Sequence, residues 1–374
     1  MTRADVLVVG GGIAGVSVAY ELAATHRVVL AESEGQLAYH TTGRSAALYF
    51  ENYGHAAIRP LSKASRRFLE HPPPELCDVP LLTPRGGLTV ARREQTALLD
   101  EAEEEGRAAG TDVRRLDPDG CVELVPALRR ELLGGGLWEP GAADIDVAAL
   151  HQTYVRGIRS RGGEVRRKAP VSALRPLADG WEAQVGDDEL TVGYVVDAAG
   201  AWGDEVAVAA GVDPVGLQPY RRTAFMVPGR EEWKSWPMCI GVAHDWYFKP
   251  DGIQLLCSPA DETPSPPCDA RPEDLDVAIA IERINAITSL GIRSVRSAWA
   301  GLRTFAPDRA MVIGPDPGNP RFVWLVGQGG TGIQTAPAAA RLAAALLRGD
   351  DLDPDLVEAG VDPDALSPAR LTKR

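Results

Sequence analysis

The chain has 374 residues, 45% of them hydrophobic and 24% charged, which is enough apolar material for a substantial core and too little charge for a disordered chain. Thirty-nine basic residues face 52 acidic ones, a formal net charge of −13. That balance excludes a general nucleic-acid binder or a partner of anionic membrane surfaces, because both need clustered positive charge. The length predicts two domains or one interrupted domain. No apolar run approaches the ~20 residues of a membrane span, and no basic stretch leads into a long apolar one near Met1, so the expectation is a cytoplasmic protein with no stable membrane insertion. Cys77, Cys121, Cys239, Cys257 and Cys268 form no CxxC pair, and the six histidines show no HxH or HExxH spacing. This pattern predicts reduced thiols and no metal site.

In chain order, residues 5–9 are a short apolar run of the buried parallel-strand kind. Gly10 to Gly15 follow as a glycine-rich turn, residues 13–24 read as a helix, and residues 27–31 form a second strand ending at Glu32. Helices are predicted over 56–70, 93–109, 116–132 and 146–162, with Pro72-Pro73-Pro74 forbidding helix between the first two. Residues 165–196 read as strands broken by turns at Asp179-Gly180 and Asp187-Asp188. Residues 220–227 and 246–257 are further strand candidates, 259–274 a proline-rich surface loop, and 276–288 a helix. A last buried strand over 322–326 leads through glycines to a helix over 335–348 and an acidic, proline-punctuated tail. The expected architecture is α/β, α+β overall. A Rossmann-type nucleotide-binding domain (1–80, 141–213 and 310–374) is interrupted by a mainly antiparallel substrate domain (81–140 and 214–309).

The glycine motif carries the first chemistry. A lone GxGxxG is weak evidence, but here a strand precedes it, a helix follows it, and an acidic residue stands 20 residues after Gly12. Gly10 permits the tight turn, Gly12 lets the backbone approach a pyrophosphate, and Gly15 lets the helix pack on the strand. The helix N-terminus at Ile13 and Ala14 offers free N–H groups and a partial positive charge, and Glu32 is placed to accept from a ribose. This motif alone does not separate NAD from FAD. Two further segments add to it: His40 to Ala46 is a small-residue stretch with one arginine soon after the acidic residue, and the glycines of Gly327 to Gln334 can bring backbone N–H groups against a ring system.

Several segments together resemble one family. They are Thr42-Gly43-Arg44-Ser45-Ala46-Ala47 with Tyr53-Gly54, Gly141 to Asp146, Leu217-Gln218-Pro219 with Arg221-Arg222, and Tyr247 to Pro250. Trp299-Ala300-Gly301-Leu302-Arg303 and Gln328 to Gln334 complete the set. Over nearly the whole length the chain resembles bacterial FAD-dependent D-amino acid dehydrogenases of the D-amino acid oxidase superfamily, most closely the D-arginine dehydrogenases. The resemblance implies oxidative deamination of a D-amino acid. A hydride passes from Cα to the flavin, and the imino acid hydrolyses to a 2-oxo acid and ammonia. It implies FAD held by Gly10, Gly12, Ile13, Ala14, Gly15, Glu32, Thr42, Gly43, Arg44, Ser45 and Ala46. Val171, Ala199, Gly200, Trp202, Gly301, Arg303, Gly329, Gly330, Gly332, Ile333 and Gln334 extend that set. Arg222, Arg303 and Tyr247 are expected to hold the substrate carboxylate, with Tyr53 over the substrate. Met238, Ile240, Gln334 and position 87 are expected to line the side-chain pocket.

Two departures from the family pattern matter. Gly87 stands where the D-arginine dehydrogenases carry an acid facing the substrate guanidinium, and Leu48 stands where they carry a histidine. With Phe50 nearby, this predicts a preference for neutral or hydrophobic side chains over cationic ones. No cysteine follows Arg303 in Leu302 to Pro307, so FAD is expected to be noncovalent. Quinone-type acceptors and oxygen both remain open as electron acceptors. The alternatives are a secondary-amine or glycine oxidase, a biosynthetic amine oxidase on the same scaffold, and a non-catalytic flavin-binding protein.

Overall fold

The computed structural model describes residues 2–371. A six-stranded sheet forms the first layer, in the order Glu164–Arg166, Val28–Ala31, Val6–Val9, Tyr194–Asp197, Phe322–Val326 and Val312–Pro315. All neighbours are parallel except the last pair. Val6–Val9, Val28–Ala31 and Phe322–Val326 are buried throughout, which is why they read as unbroken apolar runs rather than alternating ones. Helices Ile13–Leu22, Val147–Ser160 and Gly332–Arg348 cover one face, with Val8, Leu150, Ile158 and Leu342 in the shared core. The other face packs on a four-stranded sheet built mainly from Val171–Leu177, Gly180–Val185 and Asp188–Val192.

A nine-stranded sheet forms the second layer. All its strands come from residues 87–139 and 218–305, and Met238–Gly241 beside Gly87–Arg92 is its parallel pair. A small sheet of Leu48–Tyr49, Ala143–Ile145 and Leu82–Pro84 joins the two layers. The C-terminal tail folds back: Leu356 and Leu366 are fully buried in the core of the first layer.

The helix expected over 116–132 is corrected to Pro118–Leu124, capped by the Asp117 side chain. Pro126 ends it, because the residue before a proline is pushed out of the helical region. Leu133–Glu139 is a strand that the sequence reading missed, since three successive glycines (134–136) mask its pattern. The strand expected over 246–257 is a hairpin, Tyr247–Asp251 and Gln254–Ser258, turning at Gly252 with φ +57°. The helix expected to begin at 335 begins at Gly332 and accommodates Pro337 inside it. Among the described residues, no helix is long and apolar enough to cross a membrane.

Candidate active site

The strand ends Val9, Asp197 and Val326 all open toward one side of the six-stranded sheet, where an open parallel sheet takes its ligand. An elongated cavity of about 520 Å³ lies there. At one end are Glu32, Glu34, Tyr39 and His40; at the other are Arg222, Tyr247, Gly301, Arg303 and Gly330. Of the residues expected at a cofactor, Gly10, Gly12, Ile13, Ala14, Thr42, Ser45, Ala46, Val171, Ala199, Gly200, Trp202, Gly329, Gly332 and Ile333 line it.

Local chemistry explains the shape. Gly10 has φ +107°, and a Cβ there would sit 2.6 Å from the Ala198 carbonyl oxygen. A Cβ on Gly15 would collide with the Gly10 carbonyl, so helix and strand touch there without a side chain. Glu32 does part of its work within the protein. It accepts from the Gly11 N–H at 2.7 Å and the Glu34 N–H at 2.8 Å, which ties the glycine loop to the next strand. Thr42 accepts from the Ile13 N–H at 3.0 Å. The first-turn N–H groups lack intrahelical partners, and with Gly12 and Ala14 on the wall the helix turns partial positive charge into the cavity. An elongated cleft with a glycine cradle, a helix N-terminus and a nearby carboxylate fits a dinucleotide. Its phosphates would lie at Gly12 to Ala14, and its ring system would lie toward Gly301 and Gly330.

Three expected residues play other parts. Gly43 does not line the cavity; it packs so tightly on the Ala38 carbonyl that a Cβ would clash. Arg44 lines the wall, but its guanidinium is spent on the Ala270 and Ala300 carbonyls, each at 2.9 Å, and on Asp269. The Gln334 amide brackets the Phe50 backbone, with bonds of 3.0 Å to its N–H and its carbonyl, and reaches Ser62 at 2.7 Å. It therefore positions the Phe50–Tyr53 segment, and it also lines the second cavity described below.

A second cavity of about 720 Å³ meets the first at Ser45, Ala46, Arg222, Tyr247, Arg303, Gln328, Gly330 and Ile333. Sheet register brings the two arginines together. Arg222 pairs with Gly301 and Arg303 with Tyr220, so they are diagonal neighbours on one face of adjacent antiparallel strands. Arg222 is anchored by the Asp261 carbonyl at 2.7 Å and Glu262 at 3.1 Å. Arg303 donates to the Tyr53 hydroxyl at 3.0 Å. Of the four arginines lining this cavity, Arg59 pairs with Glu105, and Arg222 and Arg309 with Glu262. Arg303 forms no ion pair among the described residues. Its charge pulls the Tyr53 phenol below its usual range. Burial, reinforced by Arg303, depresses Arg222. Two adjacent cations that are incompletely neutralised, with the Tyr247 hydroxyl on the same wall, form a receptor for a carboxylate.

Met238 and Ile240 line the second cavity in an apolar cluster with Ala224, Tyr247, Leu256 and Phe50. Gly87 does not reach it: the Phe50 ring lies where a Gly87 side chain would start. The sequence reading missed His244, Asn52 and Glu139, all of which line this cavity. His244 lies on the turn before Tyr247, with its ring 6.4 Å from that of Tyr53, and burial plus the Arg222 charge lowers its pKa. Burial pushes Glu139 up to about 7. No sequence motif flags these three, since only the register of separate strands and loops assembles them.

The known proteins that the chain resembles agree with this geometry. Residues 5–346 match the DAO family, described as FAD dependent oxidoreductase. Glycine oxidase of Bacillus licheniformis is 24% identical over 96% of both chains. Mitochondrial dimethylglycine dehydrogenase of Rattus norvegicus is 25% identical over 94% of this chain, and this chain spans 45% of that protein's length. Glycine oxidase of Geobacillus kaustophilus superposes with a TM-score of 0.87 at 21% identity over the whole of both chains. L-proline dehydrogenase of P. horikoshii superposes at 0.87 and 19% identity, over 99% of this chain and 98% of the other. With a family match across most of its length and a cleft built for a dinucleotide, the chain belongs to the DAO family of FAD-dependent oxidoreductases.

Proposed function

We propose that the protein dehydrogenates the amine-bearing carbon of an amino acid. The observation that carries the reading is Arg303. It is a cation without a carboxylate partner among the described residues, and it stands beside Arg222 where the two cavities meet. Bound FAD supplies the hydride acceptor. The chain's residues do the rest. Arg303, Arg222 and Tyr247 hold the carboxylate and so fix the adjacent carbon at the junction. Tyr53, fixed by Arg303, closes over it. The amine must be neutral to release hydride, and His244, kept unprotonated by burial and Arg222, takes the ammonium proton. Met238, Ile240 and Phe50 exclude water from one side.

Two substrate types divide this reading. The relatives named for glycine and dimethylglycine weight it toward glycine-type and N-substituted amines. The 720 Å³ cavity is far larger than glycine needs, which supports a D-amino acid or an N-substituent of some length. Anaerobic mixing of the flavin-loaded protein with D- and L-amino acids, glycine, N-methyl- and N,N-dimethylglycine separates them by which compounds bleach the flavin absorbance. Absence of bleaching by every amine leaves only a flavin-binding protein.

A further inference from the structure

The second cavity has one carboxyl group that forms no ion pair among the described residues. Three carboxylates line it: Glu105, Glu139 and Glu262. Glu105 is paired with Arg59 at 2.8 Å, and Glu262 with Arg309 at 2.9 Å and Arg222 at 3.1 Å. Glu139 is only 9% exposed and forms no ion pair among the described residues. Its carboxyl accepts from the Glu51 N–H at 3.2 Å, and the Asn52 backbone N–H and the more distant Arg66 charge also favour its ionised form. Beside it, Asn52 Oδ1 is buried without a hydrogen-bond partner. Both residues line the same wall. A buried carboxylate without a paired cation is costly, and a ligand that brings one relieves it.

Register relates Glu139 to Tyr247 across the sheet. Tyr247 pairs with Ile240, and Met238, two residues earlier on the same strand, pairs with Gly87; Gly87 in turn pairs with Glu139. Glu139 is therefore three strands from Tyr247 and offset by two residues, about 16 Å between backbones at the usual strand spacing and rise. Side chains project into that gap from both sides. Arg303 and Glu139 both line the 720 Å³ cavity, so a ligand held at Arg303 shares that space with Glu139.

We propose that Glu139 is the specificity-determining site for a cationic group, an ammonium or guanidinium, at the far end of the substrate. This rests on the carboxylate clamp of the preceding reading. It reverses the neutral preference expected from Gly87. The missing acid is supplied from the neighbouring strand, at the position directly opposite Gly87.

The test uses redox-inert acids that differ only at the far end, hexanoate and 6-aminohexanoate, titrated into the FAD-loaded protein and read by the flavin difference spectrum. The aminated acid should bind about tenfold more tightly or better. Glu139→Gln keeps the size and the bond to the Glu51 N–H; it should abolish that preference and leave hexanoate affinity within about twofold. Equal affinities in the parent protein, or a preference that survives Glu139→Gln, overturn the assignment. Arg303→Met separates the two levels. If hexanoate binds and depends on Arg303 but the amino group adds nothing, only the Glu139 assignment falls. If neither acid perturbs the flavin, or binding ignores Arg303, the clamp falls and the assignment with it.

Discussion

Arg222→Met and Arg303→Met should both weaken substrate capture, but unequally, and the structure sets the order. Removing Arg222 leaves Glu262 still paired with Arg309 at 2.9 Å, so no charge is stranded. The loss is then that of a charged hydrogen bond to the substrate, about 1.5–3 kcal/mol, or roughly 10- to 150-fold in kcat/KM. Arg303 has no such neighbour, and its charge is available in full to the substrate. Truncating it leaves the bound carboxylate short of its main partner and frees the Tyr53 hydroxyl, a cost of about 2–5 kcal/mol, or roughly 30-fold to several thousand-fold. Arg303→Lys keeps the charge but loses the planar fork that serves substrate and Tyr53 together, so it should fall between parent and Met. The assay is kcat/KM with the most active amine, alongside the Kd of an inert carboxylate and the flavin content of each variant. An Arg303→Met variant within threefold of the parent removes it from the clamp. A larger loss at Arg222 than at Arg303 refutes the pairing argument.

Three further outcomes follow from the same site. Gly330→Ala would place a Cβ 2.7 Å from Arg303 Nη1 and 3.2 Å from the Tyr53 hydroxyl, so it should lower kcat/KM by about tenfold or more, measured by kinetics on flavin-loaded protein. The first cavity is lined by no cysteine among the described residues, so acid or heat should release the flavin as free FAD; flavin that stays with the denatured chain contradicts this. Burial pushes Asp197 up to about 8 from an ordinary 3.8, so between pH ~4 and ~8 the unfolded chain releases a proton that the folded chain keeps. Stability should therefore fall as pH rises through that window, by up to ~1.4 kcal/mol per pH unit from this group, and Asp197→Asn should flatten the slope in melting curves taken from pH 5 to 8.

What could be read from the sequence was whatever local pattern encodes. Apolar runs at 6–9 and 322–326 are buried on both faces and announce themselves. The glycines at 10, 12 and 15 have local jobs that fixed spacing reveals. Arg222, Arg303 and Tyr247 line the place where the two cavities meet, and register sets Arg222 beside Arg303. Partnership was not legible. That Arg44 and Gln334 are spent on backbone, or that Glu139 is left without a cation, depends on residues 88 to 284 positions away in the chain. Gly87 shows the consequence. Read alone, it is an empty place where an acid should be, and Gly87→Glu should then restore affinity for a cationic substrate. In the fold the place is filled: the Phe50 ring lies against Gly87, and the Phe50 backbone is held by two hydrogen bonds with Gln334, donating one and accepting the other. A side chain at 87 must push that ring toward the substrate or open the sheet, an overpacking cost of about 1–3 kcal/mol. Gly87→Glu should therefore lower the melting temperature and reduce kcat/KM for cationic and neutral amines alike. The double variant Gly87→Glu with Phe50→Ala opens the space and should recover part of the stability. If the single variant instead gains activity toward a cationic amine at unchanged stability, Phe50 is not the barrier and position 87 faces the substrate directly.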